Sequence, residues 1–215
     1  MKKLLLTLLA LILAMPMSVS AQNNKMLEKA RKKEFKTKMK EYKKENWKIF
    51  GTTRSLDVSL LTHYDKLDKL GENGYELIGT ASNFKSKSVG IQMAANNACV
   101  SYAKESGMRL RARIVGDLNA NGSDADMEFD KFYQAYEAKV EAEIKGELQK
   151  SFSIIKDNGD GTFELQTFFI VNQDAATKAR IRAMENALKE SEAAQKYARK
   201  ISDFVQEAFQ NEETE

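Results

Sequence analysis

The sequence predicts an α+β domain in which a mostly antiparallel sheet of three to four strands carries helices packed on one face. Helical segments alternate with short segments rich in β-favouring residues, two strand candidates flank a Gly-rich turn, and no internal repeat is present. Long helices at both ends are expected to flank this domain. With 215 residues, 42% hydrophobic and 30% charged, the chain matches about one globular domain.

The first 21 residues have the pattern of a secretory signal peptide. Lys2 and Lys3 precede an apolar run over residues 4–15, and a small-residue site ends at Ala21. The run is shorter than the roughly 20 residues that a spanning helix needs. We therefore expect export with cleavage after Ala21. The periplasm is the expected compartment, and outer-membrane association or secretion are the alternatives.

A basic helical arm is predicted for residues 22–48. Residues 25–48 contain 11 Lys or Arg and 4 Glu, whereas residues 49–215 contain 21 basic and 27 acidic residues. Phe35, Met39 and Tyr42 recur at helical spacing and form a narrow apolar stripe. The sequence thus places a basic arm before an acidic body.

The body, residues 49–172, starts with a helix and a strand. Residues 55–71 have helical spacing, with Ser55 and Asp57 as candidate caps and Gly71 as the candidate C-cap. Residues 75–81 favour a strand, and residues 86–106 form an Ala-rich helix.

Residues 108–115 alternate apolar side chains with Arg109, Arg111 and Arg113, which predicts a strand with one wet face. Such an arginine row could hold an anionic polymer. The alternative is that the row pairs with acids of a neighbouring strand, such as Glu147 or Glu164.

The second half of the body is predicted as a helix and a hairpin. Residues 116–126 form a loop, residues 127–138 a helix, and residues 140–156 and 162–171 two strands joined by a tight turn. The last segment, residues 173–215, is predicted as a C-terminal helix that ends in an acidic tail with Glu212, Glu213 and Glu215.

Residues 75–172 resemble the LPP-twenty lipoprotein family of bacterial envelope proteins, whose domain is similar to the amino-terminal part of the flagellar assembly protein FlgT. The resemblance lies in the strand YELIGTAS, the helix GIQMAANNACVSYAKES and the hairpin EIKGELQKSFSIIKDNGDGTFELQTFFIV. It implies a small envelope domain without catalytic residues that acts in assembly or surface attachment. Position 22 is Gln rather than the cysteine that a lipoprotein carries after its signal, so a lipid anchor is not expected.

Candidate catalytic residues are scarce. The sequence has no G-x-S-x-G, P-loop, H-E-x-x-H or dinucleotide motif, and Cys99 and His63 are its only cysteine and histidine. Cys99 lies among alanines, which favours a small buried residue over a nucleophile, and His63 is interpreted as a surface residue. We expect no catalytic residue, no cofactor and no metal site.

Two acidic segments invite comparison with calcium sites. Counted from Asp157, the turn lacks the oxygen ligands of an EF-hand at its third and fifth positions, so a turn is favoured. Weak surface calcium at Asp157 and Asp160, or at Asp124 and Asp126, remains the alternative.

These patterns favour a non-catalytic exported envelope protein that acts as an interaction or assembly module. The alternatives are a helical scaffold that oligomerises, or an enzyme that uses carboxylates or the arginine row. Expected partners are an envelope protein or a second copy, with peripheral contact of the arm to an anionic surface and no nucleic acid. The arm could instead pack on its own domain. The candidate interaction residues are Lys32, Lys33, Phe35, Met39, Tyr42, Arg109, Arg111 and Arg113.

Overall fold

The computed structural model describes residues 17–119, residues 130–190 and residue 195. The chain divides into two compact units, Met1–Glu45 and Asn46–Glu215. In the first unit, helix α1 covers Met17–Lys44. The sixteen residues at the start of the predicted leader, residues 120–126 of the predicted loop, with Asp124 and Asp126, and the acidic tail lie outside the described residues. Residues 116–119, also predicted as loop, are helical instead.

The second unit contains four strands and four α-helices in its described residues. In chain order these are β1 (Lys48–Phe50), α2 (Leu56–Leu70), β2 (Gly74–Phe84), α3 (Lys87–Asn119), α4 (Asp130–Ile144), β3 (Gln149–Asp157), β4 (Phe163–Asn172) and α5 (Gln173–Leu188). None of the described helices is both long enough and apolar enough to cross a bilayer.

The four strands form one antiparallel sheet in the order β1-β3-β4-β2. The predicted α+β class and its antiparallel sheet are therefore confirmed. Strand β4 is central and pairs with both long neighbours, with Leu77 opposite Phe169 on one side and Ile155 opposite Leu165 on the other.

Helices cover both faces of the sheet. Because side chains alternate along a strand, Leu77 and Phe169 share the face that packs against α3, in one core cluster with Ala98. Glu76 lies on the opposite face, where its side chain contacts His63 of α2. The sequence placed the helices on one face; α3 covers that face, and α2 adds a helix on the other.

Local signals set the ends of α2 and the β3–β4 turn as predicted. Ser55 is the extended N-cap residue of α2, although its side chain makes no capping hydrogen bond, and Gly71 ends the helix at φ +56°. In the turn, Gly159 and Gly161 both have φ +82°, a conformation that glycine adopts without strain.

The strand predicted for residues 108–115 is wrong, because α3 continues through this segment to Asn119. Leu110 and Ile114, which suggested alternation, are four residues apart and also share one helix face. Both are buried, whereas Ala112 between them is exposed. Helical burial therefore accounts for the segment, and period-two burial does not.

The strand predicted to begin at residue 140 is also wrong in its first part. Helix α4 continues to Ile144, since Val140 and Ile144 are fully buried on the same helix face as Tyr136. A short 3-10 turn, Lys145–Glu147, then leads into β3. The strand predicted for residues 162–171 is confirmed as β4, and α5 begins directly after it with the Asn172 side chain accepting a hydrogen bond from the Ala175 amide.

Candidate functional site

The most distinctive charged surface lies on α1. Seven lysines fall within about one-third of the helix circumference, because an α-helix turns about 100° per residue. All seven are exposed: Lys29, Lys32, Lys33, Lys36, Lys40, Lys43 and Lys44. We call this set the lysine face. It extends over about 22 Å of helix at about 1.5 Å per residue.

The acidic residues of α1 and its end lie elsewhere on the circumference. Glu34, Glu41 and Glu45 project about 140° from the centre of the lysine face. Glu28 lies at its border and accepts a hydrogen bond from Lys32 Nζ at 2.5 Å, which lowers the pKa of the Glu28 carboxyl. One side of the helix therefore carries seven lysines and no glutamate, whereas the other side carries the three glutamates together with Arg31 and Lys38.

The predicted stripe of Phe35, Met39 and Tyr42 borders the lysine face on one side of α1. Phe35 and Met39 are half-buried and Tyr42 is buried. Lys32 and Lys33 belong to the lysine face, so the five arm residues singled out from the sequence occupy two adjacent sectors of one helix.

The three arginines do not form a row. On helix α3, Arg109 and Arg113 share one side, and Arg111 projects about 160° away from both. Arg109 donates a hydrogen bond to Glu105 at 2.6 Å, and Arg111 donates one to Asp130 at 2.5 Å while its guanidinium lies over the Tyr133 ring.

The acids proposed as partners for the arginine row have other partners. Glu147 accepts a hydrogen bond from Arg182, and Glu164 forms a cross-strand ion pair with Lys156. Arg113 is exposed on α3. The predicted binding of an anionic polymer requires a continuous row of arginines. The three arginines at these positions do not form such a row.

His63 is buried, which corrects its interpretation as a surface residue. Its ring is 0% exposed and lies edge-on to Phe152 and Phe168, with centroid distances of 5.5 and 5.9 Å. Its Nε2 atom lies 2.5 Å from Oε2 of Glu76. Cys99 belongs to the opposite side of the sheet, in the cluster around Ala98, so a His–Cys catalytic pair is not formed.

A second buried polar group lies among α3, α4 and α5. Arg180 is 1% exposed, and its guanidinium donates hydrogen bonds to the hydroxyls of Tyr102 and Thr177. Tyr136 is fully buried close by, and burial raises the pKa of its hydroxyl and lowers that of the Arg180 guanidinium. The ring of Tyr102 also contacts Arg180 in a cation–π arrangement.

A narrow pocket opens beside this arginine. Its lining includes Tyr75, Glu105, Arg109 and Gln173, and its volume is about 20 Å³. Pockets for small organic molecules have roughly 300–1,000 Å³. This pocket therefore has no room for such a substrate, and we assign Arg180 a structural role.

The remaining described candidates are Cys99 in the core and the two aspartates of the β3–β4 turn. Cys99 is buried and unpaired, and burial raises the pKa of its thiol, as expected for a small core residue. Asp157 and Asp160 accept hydrogen bonds from the Gly159 and Thr162 amides within the turn. Among described residues, no group of three His, Cys, Asp or Glu side chains is arranged to hold a metal ion.

The sequence contains a signal for the burial of Arg180 that our prediction did not include. Ala176, Arg180, Ala183 and Ala187 follow one another at spacings of four, three and four residues, so the arginine lies on the apolar face of α5. His63 has a comparable signal, because Leu60, His63, Leu67 and Leu70 follow one another at spacings of three, four and three residues on α2. The segregation of lysines on α1 was also readable from spacing alone.

No family model matches this chain, and no curated protein and no solved structure was found to be similar to it.

Proposed function

We propose that this chain is a non-catalytic, exported protein of the bacterial cell envelope that acts as an interaction or assembly module. The lysine face is its contact surface. The observation that carries the proposal is the segregation of seven exposed lysines on one side of α1, with Glu34, Glu41 and Glu45 on the other.

Several features support this function. A solvated helix that served only as a connection would gain stability from lysines and glutamates mixed at spacings of three and four residues. Such pairs join Lys32 with Glu28 and Lys38 with Glu34. By contrast, four members of the lysine face have no acidic residue three or four positions away in the sequence: Lys29, Lys33, Lys36 and Lys40. Like charges on one face repel each other, which destabilises the helix. Contact with an anionic partner offsets this repulsion, so the pattern favours a binding role.

The leader pattern and the envelope-family resemblance favour the same role. A secretory leader before residue 22 directs the arm and body out of the cytoplasm, with the periplasm as the proposed compartment. The resemblance of residues 75–172 to the LPP-twenty domain adds attachment or assembly as the role of the body.

Fractionation of a bacterial host that expresses the full chain tests the proposal. We expect a mature chain that begins at Gln22, remains with the envelope at low salt and is released at high salt, because screening weakens exposed charge contacts. Mass spectrometry of the recovered protein checks the cleavage, and immunoblots of each fraction check the attachment.

Two charge-matched variants make the test specific. The face variant K32E/K33E/K36E/K40E reverses four lysines of the lysine face, and the control K66E/K85E/K104E/K131E reverses four exposed lysines of the body. We expect the face variant to be released at low salt and the control to remain attached. Equal release of both variants, or accumulation of uncleaved chain in the cytoplasm, would contradict the proposal.

A further inference from the structure

Resting on the proposed function, we infer that the partner of the lysine face is a lipid bilayer that contains anionic phospholipids. The helix adsorbs on this surface through charge and does not insert into it. The juxtaposition that carries the inference is an all-lysine helix face beside two half-buried apolar residues, Phe35 and Met39.

The type of cation favours lipid over a folded acidic protein. No arginine lies in this sector of α1, and the one arginine of the helix, Arg31, projects from the other side together with Lys38. Arginine suits carboxylates held in fixed geometry, because its planar guanidinium forms paired hydrogen bonds. Lysine is a flexible, strongly hydrated point charge, which suits laterally mobile phosphate headgroups.

The shape of the charged surface also matches a membrane. The lysine face is one side of a continuous helix and spans about 22 Å, so its ammonium groups can reach one plane together. Each lysine held near an anionic leaflet adds to the attraction, and the attraction decays within a Debye length. A flat anionic layer can therefore engage the whole lysine face at once.

The apolar residues of α1 indicate adsorption rather than insertion. Helices that embed in the interface carry a broad face of Trp, Phe and Leu. Here the stripe is narrow, and its third residue, Tyr42, is already buried. Phe35 and Met39 can contribute only a small apolar area, so salt is expected to reverse the binding.

The charge of the remaining chain sets the orientation. Residues 49–215 contain 21 basic and 27 acidic residues, so an anionic surface attracts α1 and repels the rest. Binding is therefore expected to depend on the lysine face and to gain nothing from body lysines.

Sedimentation with lipid vesicles tests the inference. The predicted mature chain, residues 22–215, is mixed with vesicles of phosphatidylcholine alone or with about one-quarter phosphatidylglycerol. We expect binding only to the anionic vesicles at low salt, with at least about tenfold weaker binding in about 0.5 M salt. Face variant K32E/K33E/K36E/K40E should lose at least about tenfold in affinity, whereas control K66E/K85E/K104E/K131E should bind like the original chain.

The outcomes separate this inference from the proposed function. Circular dichroism spectra of the original chain, the face variant and the control should match. Matching spectra show that a variant that loses binding is still folded. Absence of binding to anionic vesicles, or equal binding to neutral ones, overturns the lipid inference. If the lysine face still retains the protein in the envelope fraction, the proposed function stands with a protein or polymer partner. Salt-sensitive self-association in light scattering without vesicle binding would identify a second copy as that partner.

Discussion

The Nε2 atom of His63 lies 2.5 Å from Oε2 of Glu76, and this contact joins helix α2 to strand β2. The His63 ring is fully buried against Phe152 and Phe168, while the Glu76 side chain is 27% exposed. The Nδ1 atom of His63 has no hydrogen-bond partner in the described part of the chain. The contact with Glu76 gives the buried ring a polar partner, which offsets part of the cost of removing its nitrogen atoms from water.

The substitution His63→Ala is expected to lower the free energy of unfolding by about 3 kcal/mol, because it removes a buried ring and leaves a cavity beside two phenylalanines. Urea denaturation followed by circular dichroism measures the change. The control Asp65→Ala removes an exposed carboxylate that pairs with Lys69 on the same helix, and it should change stability by less than about 0.5 kcal/mol. Similar losses in both variants would show that His63 does not anchor α2.

The substitution Arg180→Ala is expected to destabilise the fold by about 3 kcal/mol, because it empties a buried site and leaves the Tyr102 and Thr177 hydroxyls without their donor. Arg182 provides a matched control two residues away. Its half-exposed side chain pairs with Glu143 and Glu147, so Arg182→Ala should lower stability much less than Arg180→Ala. Thermal denaturation of both variants measures the two losses of stability. A larger loss for Arg182→Ala than for Arg180→Ala would contradict the structural role of Arg180.

The substitution Gly79→Ala is expected to separate β2 from α3. A methyl group at Gly79 would lie 2.7 Å from the carbonyl carbon of Ala94 and nearer still to its oxygen, so backbone must move. We expect a loss of about 3 kcal/mol or failure to fold. Gly146→Ala meets no atom within 4 Å and should change stability by less than about 0.5 kcal/mol. A folded Gly79→Ala protein as stable as the Gly146→Ala control would contradict the close packing of this pair.

The Cys99 thiol is expected to react slowly with a thiol reagent at neutral pH, because burial raises its pKa and limits access. Denaturant should restore the rate of a free cysteine. In the folded state the thiol keeps its proton to higher pH than in the unfolded state, so stability should fall as pH rises above the ordinary cysteine pKa. The variant Cys99→Ala should weaken this alkaline loss. Rapid labelling of the folded protein would place Cys99 at an accessible position.

Local sequence signals predicted correctly those features that depend only on residues within the same element. Ser55 and Gly71 marked the ends of α2, and the glycines between β3 and β4 marked the turn, because caps and turns depend on the conformational preferences of a few neighbouring residues. The lysine spacing of α1 belongs to the same class, since a helix fixes the direction of each side chain.

Local signals predicted the wrong element where the same apolar residues fit both the strand period and the helix period. Leu110 and Ile114 satisfy both a strand and a helix, and only the packing of α3 against α4 decides between them. The segment that contains Val140 and Ile144 is a second case, because this pair also fits both periodicities. An apolar pair four residues apart becomes helical when a neighbouring helix buries it, and that neighbour is distant in sequence.

The sequence by itself determined the α+β class, the hairpin, the basic arm and its lysine spacing, because these follow from composition and from contacts within a few residues. Only the tertiary structure decided which residues satisfy the polar groups of His63 and Arg180 in the core. Their burial depends on partners far along the chain: Glu76 and Phe152 for the histidine, and Tyr102 for the arginine. A polar side chain can enter the core only where distant residues satisfy it, and no local pattern specifies such partners.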